Sequence, residues 1–371
     1  MKKLRVFINP GVHPQFKEII DFPPKGVKYV YDKPKGDHNS PVMRKKRQIL
    51  SRIHTLMQFP RIAFVRNAKK YDLLHSTRGI IPLNHRPWIV DIESGAAFAS
   101  LKWVEMKKPL MRWLIRRYLS SPYCKKIIPQ SEAAKKSLLD NIDCSGFEDN
   151  IETVYLAYRT TKLKRKKSSK VRISFIGRGY FEKGGHDTQQ AFQILDKKYP
   201  GKLQLKMKCN VPEGYKLKMK NVIYLNKIDD PKEFYEEIFG DCDIYVQPTT
   251  IDSFGVSILE AMSTGLPIVC TDDFTLPEMV EDGHNGFLVK SPVNWYPYAL
   301  KNQWKEYSRL AEKNHPQTVK ELVKKISILI ENPRLRKKMG QNSFKMVESG
   351  KFSIRKRNEQ LRRIYDEAIR N

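Results

Sequence analysis

Two stretches of the chain combine residue types that do chemistry with spacings that can gather them on one ligand. The first is Phe175-Ile176-Gly177-Arg178-Gly179-Tyr180-Phe181-Glu182-Lys183-Gly184-Gly185, an apolar run that enters a glycine-rich turn and then a helix. Glycines let the backbone approach a ligand closely, the helix N-terminus presents unpaired N–H groups, and Arg178 and Lys183 can reach a diphosphate. The spacing is not that of a P-loop, and an ordinary strand-to-helix turn with two solvent-facing bases is the competing reading.

The second stretch runs from Asp241 to Met262. A strand ends at Pro248, a polar loop follows, and Ser253 is placed to cap a helix that Gly265 and Pro267 terminate. Val256, Ile258, Leu259, Ala261 and Met262 leave this helix almost no polar face, so Glu260 is a carboxylate in an apolar element. An ion there needs a partner. A sugar diol, whose two donors match the two carboxylate oxygens, and an internal Arg or Lys both qualify. Asp252 and Ser253 stand at the helix entrance. Gly255 in its first turn gives up about 1 kcal/mol of helix propensity, which suits a ligand packed against the backbone. Asp241-Cys242-Asp243 is a polar helix end rather than a metal-ligand set, and no metal is expected.

The elements that must hold these residues follow from the alternation of apolar runs. Downstream of residue 170, strands at Val171–Ile176, Leu203–Met207, Val222–Leu225, Ile244–Gln247 and Pro267–Thr271 alternate with helices near Gly185–Tyr199, Pro231–Phe239 and from Ser253. That pattern predicts a parallel sheet covered on both faces. Upstream, strands are expected at Arg5–Asn9, Val27–Tyr31, Asp72–Ser76, Trp88–Ile92 and Lys126–Pro129, with helices near Val42–Met57, Phe98–Leu119 and Ser131–Asn141. Helices Thr318–Ile330, Pro333–Glu348 and Phe352–Ile369 close the chain. The basic stretch Thr160–Lys170 reads as a linker, which gives an α/β chain of two domains, residues 1–165 and 171–350, with a final helix over 352–371. The length of 371 residues fits two domains, and 40% hydrophobic residues with average Gly and Pro exclude a disordered or collagen-like chain.

Five cysteines, odd in number and never in a CxxC spacing, argue against a disulfide framework or structural zinc and fit a reducing compartment. No apolar run approaches the length that spans a bilayer and the N-terminus does not read as a signal peptide, so a cytoplasmic protein is expected. The net charge of +29 is unevenly spread: residues 1–170 hold 36 basic and 14 acidic side chains, and residues 171–371 hold 33 and 26. Such a one-sided surplus points to an anionic partner.

The run Asp252–Glu260 followed by Ala261-Met262 resembles the E-x7-E signature of the retaining family 4 glycosyltransferases with the GT-B fold, with Asp in place of the first Glu. Gly177-Arg178 with Glu182-Lys183-Gly184 resembles that family's diphosphate loop, and Leu276–Val289 resembles a third family segment. The resemblance implies two Rossmann-like domains facing across a cleft, the C-terminal helix crossing back to the first. It further implies a nucleotide-sugar, UDP- or GDP-linked, as substrate rather than a tightly bound cofactor. Glu260 would bind the ribose hydroxyls, Asp252 would contact the transferred sugar, and Arg178 with Lys183 would neutralise the diphosphate. Ser253, Phe254, Gly255 and Gly177 would line the donor site. The first domain, the acceptor side, resembles the family less. Its loop Asn9–Pro14 would supply Gly11 as a donor contact, and Glu93, near where the family often has a pocket His, either binds an acceptor hydroxyl or merely terminates a strand.

The expected activity is therefore hexosyl transfer from a UDP- or GDP-sugar to a glycan, lipid-linked or phosphorylated acceptor in envelope or glycan biosynthesis. After Pro109, residues Leu110, Met111, Leu114, Ile115 and Tyr118 share one helical face, Arg112 and Arg116 the other. Such a helix either lies on an anionic membrane at the inner face or packs in a core with a solvated basic side. Two alternatives stand beside this: a catalytically silent nucleotide-binding relative, and a nucleic-acid-binding protein using the basic first domain. No RRM, KH or helix-turn-helix pattern supports the latter.

Overall fold

A computed structural model describes the chain except for residues 1–2, 9–13, 32–58, 66–70, 226–227, 229, 297–303 and 371. The expected helix Val42–Met57 and Gly11 lie outside the described residues. The chain divides into two compact units, Met1–Ala157 with Ile354–Asn371, and Tyr158–Ser353.

In the first unit the strands β1 (Leu4–Ile8), β2 (Val27–Val30), β4 (Leu73–Ser76), β6 (Trp88–Ile92) and β7 (Cys124–Pro129) form a parallel sheet in the order β2-β1-β4-β6-β7. Two short strands, β3 (Ile62–Ala63) and β5 (Ile81–Pro82), pair separately. Helices α1 (Pro14–Asp21), α2 (Pro109–Leu119) and α3 (Glu132–Leu139) fall between the strands or after β7. The inward residues of β4 and β6 are fully buried aliphatics such as Leu73 and Ile89, as a parallel sheet covered on both faces requires.

In the second unit β8 (Val171–Ile176), β9 (Leu203–Lys208), β10 (Val222–Tyr224), β11 (Ile244–Gln247), β12 (Ile268–Thr271) and β13 (Gly286–Val289) form a parallel sheet in the order β10-β9-β8-β11-β12-β13. Helices α4 (Gly185–Lys198), α5 (Pro231–Tyr235), α6 (Val256–Ser263) and α7 (Leu276–Met279) fall between its strands. After β13 come α8 (Trp304–Ala311), α9 (Pro316–Glu331) and α10 (Pro333–Glu348). Its core joins Phe175, Phe192, Leu205, Val246 and Val269 to Leu322 and Ile326 of α9. The chain steps outward from β8 to β9 and β10, then returns to the other side of β8 with β11. This reversal is the topological switch point, where open α/β sheets bind ligands at the carboxyl ends of their strands.

Helix α11 (Ile354–Arg370) belongs to the first unit, where Leu361, Ile364, Tyr365 and Ala368 join a core with Val6, Leu73 and Ile89. A buried polar chain fixes it there: the Tyr365 hydroxyl is 2.9 Å from that of Tyr29 and 2.8 Å from Nδ1 of His75, whose Nε2 stands 3.4 Å from Asp91.

Three expectations are corrected. Phe98–Leu119 is not one helix: Ser100 (φ 57) and Leu101 (φ 63) take the left-handed conformation and break it. Short 3-10 turns cover Gly95–Ala99 and Trp103–Lys107, and the α-helix starts at Pro109, whose fixed φ suits a first helical position. In α2 the buried residues are Met111, Ile115 and Leu119, whereas Leu110 is 51% and Trp113 59% exposed, so the apolar inward face is narrower than the sequence pattern suggests. Helix α5 ends at Tyr235, and Glu236–Gly240 continues it as a wider π-helical turn.

Candidate active site

The glycine-rich loop after β8 and the loop after β11 meet because their strands are neighbours. Lys183 and the following Gly184 sit against the end of β11. Gly184 has φ +76, and a Cβ there would lie 2.1 Å from the Pro248 carbonyl oxygen, so only glycine lets the two loops close. The contact is then sewn by backbone: the Glu182 carbonyl accepts from the N–H groups of Thr250 at 3.0 Å and Ile251 at 3.3 Å, and from the Thr249 hydroxyl at 3.0 Å. Gly177 lies against Lys183 as well, a Cβ there being 2.7 Å from the Lys183 Cβ.

Across this seam Lys183 Nζ donates to Asp252 Oδ2 at 2.7 Å and to the Ile251 carbonyl at 2.7 Å. The pair is largely withdrawn from water, the side chains being 24% and 13% exposed. The other oxygen of Asp252, Oδ1, accepts from the Gly255 N–H at 2.8 Å and the Phe254 N–H at 3.4 Å. Ser253 is therefore not the cap that the sequence pattern suggests, and the helix has no side-chain cap. Asp252 holds the turn into α6, while Ser253 offers its carbonyl to the Thr275 hydroxyl at 2.8 Å. The helix begins after Gly255, which has φ +81.

Glu260 stands one turn into α6, half-buried, and its Oε1 accepts from the Tyr158 hydroxyl at 2.9 Å. Tyr158 in turn accepts from the Tyr235 hydroxyl at 2.8 Å. Beneath α6, the Tyr245 hydroxyl and the Ser257 hydroxyl both donate to Gln247 Oε1, each at 2.7 Å. Complete burial, with the charges of Glu260 and Asp252 acting in the same direction, holds the Tyr245 phenol well above its usual range.

Of the remaining candidates, Arg178 is exposed and makes no ion pair among the described residues. The Phe254 side chain is 2% exposed and meets the Phe352 ring edge-on at 6.4 Å, so what it offers a ligand is backbone. Glu93 belongs to the first unit, just after β6, half-buried and within electrostatic reach of Arg61, which donates to the Arg78 carbonyl at 2.9 Å. Among the described residues no group of three or more His, Cys, Asp or Glu side chains is arranged to hold a metal ion, and no helix is long and apolar enough to cross a membrane.

Three residues near this site carry no signal in the sequence. Tyr158 precedes the basic stretch by a few residues and Tyr235 ends α5, and nothing in their spacing ties either to Glu260. Asp273, in the loop after β12, is buried with its two oxygens accepting from the N–H groups of Phe274 at 3.0 Å and Trp295 at 2.9 Å, and burial pushes its carboxyl up to about 6.

Residues 159–314 match the sequence family described as glycosyl transferases group 1. An uncharacterized glycosyltransferase of Methanocaldococcus jannaschii is 26% identical over 300 residues, covering 76% of this chain and 68% of the relative. The capsular polysaccharide biosynthesis glycosyltransferase CapM of Staphylococcus aureus is 27% identical over 202 residues, 52% of this chain and 45% of CapM. The structure resembles Anabaena HepE, solved in complex with UDP-glucose, with a TM-score of 0.62 at 13% identity over 98% of this chain and 99% of that one. The shared architecture is the GT-B fold.

Proposed function

We propose that the chain, whose residues 159–314 match the group 1 glycosyl transferases, is a retaining, metal-independent hexosyltransferase. Its donor is a UDP- or GDP-sugar held by the second unit, and its acceptor is a glycan, lipid-linked or phosphorylated molecule met by the first. The observation that carries this reading is the Lys183–Asp252 pair at the switch point of the second sheet, with Glu260 one turn into the helix that follows the Asp252 turn.

Each residue has a role its surroundings support. Lys183 spends two of its three donors on Asp252 and Ile251, and the third meets a phosphate oxygen. Exposed Arg178 adds a second cation from the same loop. Negative charge grows on the departing nucleoside diphosphate, and fixed cations stabilise it most in the transition state. Glu260, oriented by Tyr158 on one oxygen, still offers acceptor sites to a ribose diol, since a carboxylate has about four lone-pair positions. Asp252 contacts the transferred sugar, and Glu93 binds an acceptor hydroxyl. Retention means that the acceptor oxygen bonds to the anomeric carbon on the face the diphosphate leaves.

The similarity to HepE, whose structure holds UDP-glucose, supports a UDP-sugar donor, and the similarity to CapM supports a glycan product. Exposed Leu110 and Trp113 beside Arg112 and Arg117 on α2 support an acceptor presented at an anionic membrane surface. The test is calorimetric titration of UDP, GDP and their common sugar conjugates into wild type and Glu260→Ala, followed by NMR of the anomeric proton in any product. Binding of one nucleotide series that weakens at least tenfold in Glu260→Ala, with a product of the donor's anomeric configuration, supports the proposal. Absence of binding across the panel overturns it, and binding without turnover on any acceptor selects the catalytically silent alternative.

A further inference from the structure

The basic stretch between the units is not a free linker. Arg165 folds onto the second unit, donating to the carbonyls of Phe239 at 3.2 Å and Thr264 at 2.9 Å, and also to that of Cys242. With Lys162 it forms one wall of an open groove of about 640 Å³. The opposite wall is α10, which contributes Arg336, Lys337 and Lys345, and Phe344 gives the groove an apolar side. The groove exists because α10 crosses the Gly265 turn closely: a Cβ on Gly340 would lie 2.3 Å from the Gly265 carbonyl oxygen.

None of these five cations is paired with a carboxylate among the described residues. Arg336 is half-buried and donates only to carbonyls, that of Leu329 at 2.6 Å and that of Ile330 at 3.5 Å. The lining includes two acids. Asp243 is already held by three hydrogen bonds from Arg172, one from its backbone N–H at 2.9 Å and two from its guanidinium at 3.0 and 3.2 Å, and Glu348 lies exposed at the end of α10. Five basic side chains against two acids, one of them already held by Arg172, leave a positive field that concentrates anions around this concavity, and guanidinium groups are suited to bidentate phosphate contacts. The groove adjoins Asp243 and Pro267, which precede β11 and β12, so it opens at the amino ends of the strands. The candidate active site lies at their carboxyl ends, so the two are separate places on the same sheet.

We propose that this groove is a second anion site, which takes a compact phosphorylated ligand with two or more phosphate charges. The ligand is either a free polyphosphate-bearing molecule or a phosphorylated lipid headgroup. Arg336 and Arg165 grip the phosphates, and Lys162, Lys337 and Lys345 supply the surrounding charge.

The test uses the full chain with saturating UDP present, so that the nucleotide site does not compete. Inorganic tripolyphosphate is titrated calorimetrically, and co-sedimentation is measured with phosphatidylcholine vesicles containing phosphatidic acid. Both are repeated on the triple variant Lys162→Gln, Lys337→Gln, Lys345→Gln, all exposed positions, and on Arg336→Lys. Tripolyphosphate affinity that falls tenfold or more in the triple variant, with UDP affinity unchanged, supports the site with a free anion as its ligand. Sedimentation with vesicles alone, lost in the triple variant, supports it with a lipid headgroup. Absence of binding to either probe, or binding that the triple variant leaves unchanged, overturns it.

Discussion

Lys183 and Asp252, 69 residues apart, form a 2.7 Å ion pair that closes the glycine-rich loop of one strand onto the helix-starting loop of its neighbour. The contact makes one unit of the two sequence motifs, since Asp252 also holds the turn that leads into α6 through the Gly255 N–H. Replacing Lys183 by Met takes a cation from the proposed diphosphate site and leaves a mostly buried carboxylate without its Lys183 partner. Turnover with the best donor should fall by about 10²-fold or more, the size seen when a fixed transition-state charge partner is lost. Stability should drop by about 1–3 kcal/mol. Steady-state kinetics with thermal unfolding checks both, and unchanged kcat in a folded Lys183→Met protein removes the residue from the chemistry.

Tyr158→Phe tests how Glu260 is held. Loss of the 2.9 Å hydrogen bond to an ionised group should cost about 1.5–3 kcal/mol of carboxylate stabilisation, expressed as weaker nucleotide binding of roughly tenfold or more. Calorimetry on the free nucleotide measures this without requiring an acceptor, and equal affinity in the two proteins shows that Tyr158 does not orient Glu260 for the ligand.

Gly184→Ala should damage both loops at once. The positive φ and the 2.1 Å approach to the Pro248 carbonyl leave no room for a methyl group, and strain of this kind costs at least about 1–3 kcal/mol. A lowered melting temperature together with lost nucleotide binding is expected. Gly201→Ala, at another positive φ but with open space around it, serves as the control that keeps nucleotide affinity.

Asp273 gives a pH signature. Burial pushes its carboxyl up to about 6, above the unfolded value of about 3.9. Between these two values the folded chain holds the proton more tightly, so the group's contribution to stability falls as pH rises from about 4 to about 6 and is constant above. The change amounts to at most about 3 kcal/mol. Denaturant unfolding of wild type and Asp273→Asn across this range should show the difference between them shifting toward the variant as pH rises; a difference independent of pH rules out a raised carboxyl.

Trp113, 59% exposed on α2 with Leu110 at 51%, is a candidate wedge at a membrane surface. Trp113→Ala should reduce co-sedimentation with anionic vesicles several-fold at low salt and leave UDP affinity unchanged. Equal sedimentation assigns any vesicle binding to charge elsewhere.

Much of this protein is local and therefore readable from residue order. Strand runs such as Val171–Ile176 and Ile244–Gln247 announce themselves because a parallel strand buried on both faces must be continuously apolar. Glycines at Gly177, Gly184 and Gly255 mark places where the backbone needs room or a left-handed conformation. Glu260 stands out because a carboxylate in an apolar helix demands a partner, and Asp252 because it stands at that helix's entrance. What the order of residues does not encode is which partner arrives. Ser253 looks the natural cap, yet the Oδ1 of Asp252 reaches the Gly255 N–H. The phenol that holds Glu260 comes from Tyr158, 102 residues away, and the basic Thr160–Lys170 stretch, which reads as a solvated linker, lays Arg165 onto the carbonyls of the second unit. Each of these contacts depends on which strands lie side by side and on how closely helices cross. Those relations come from packing the whole sheet, where burial is shared among distant segments and no short stretch of sequence can specify it.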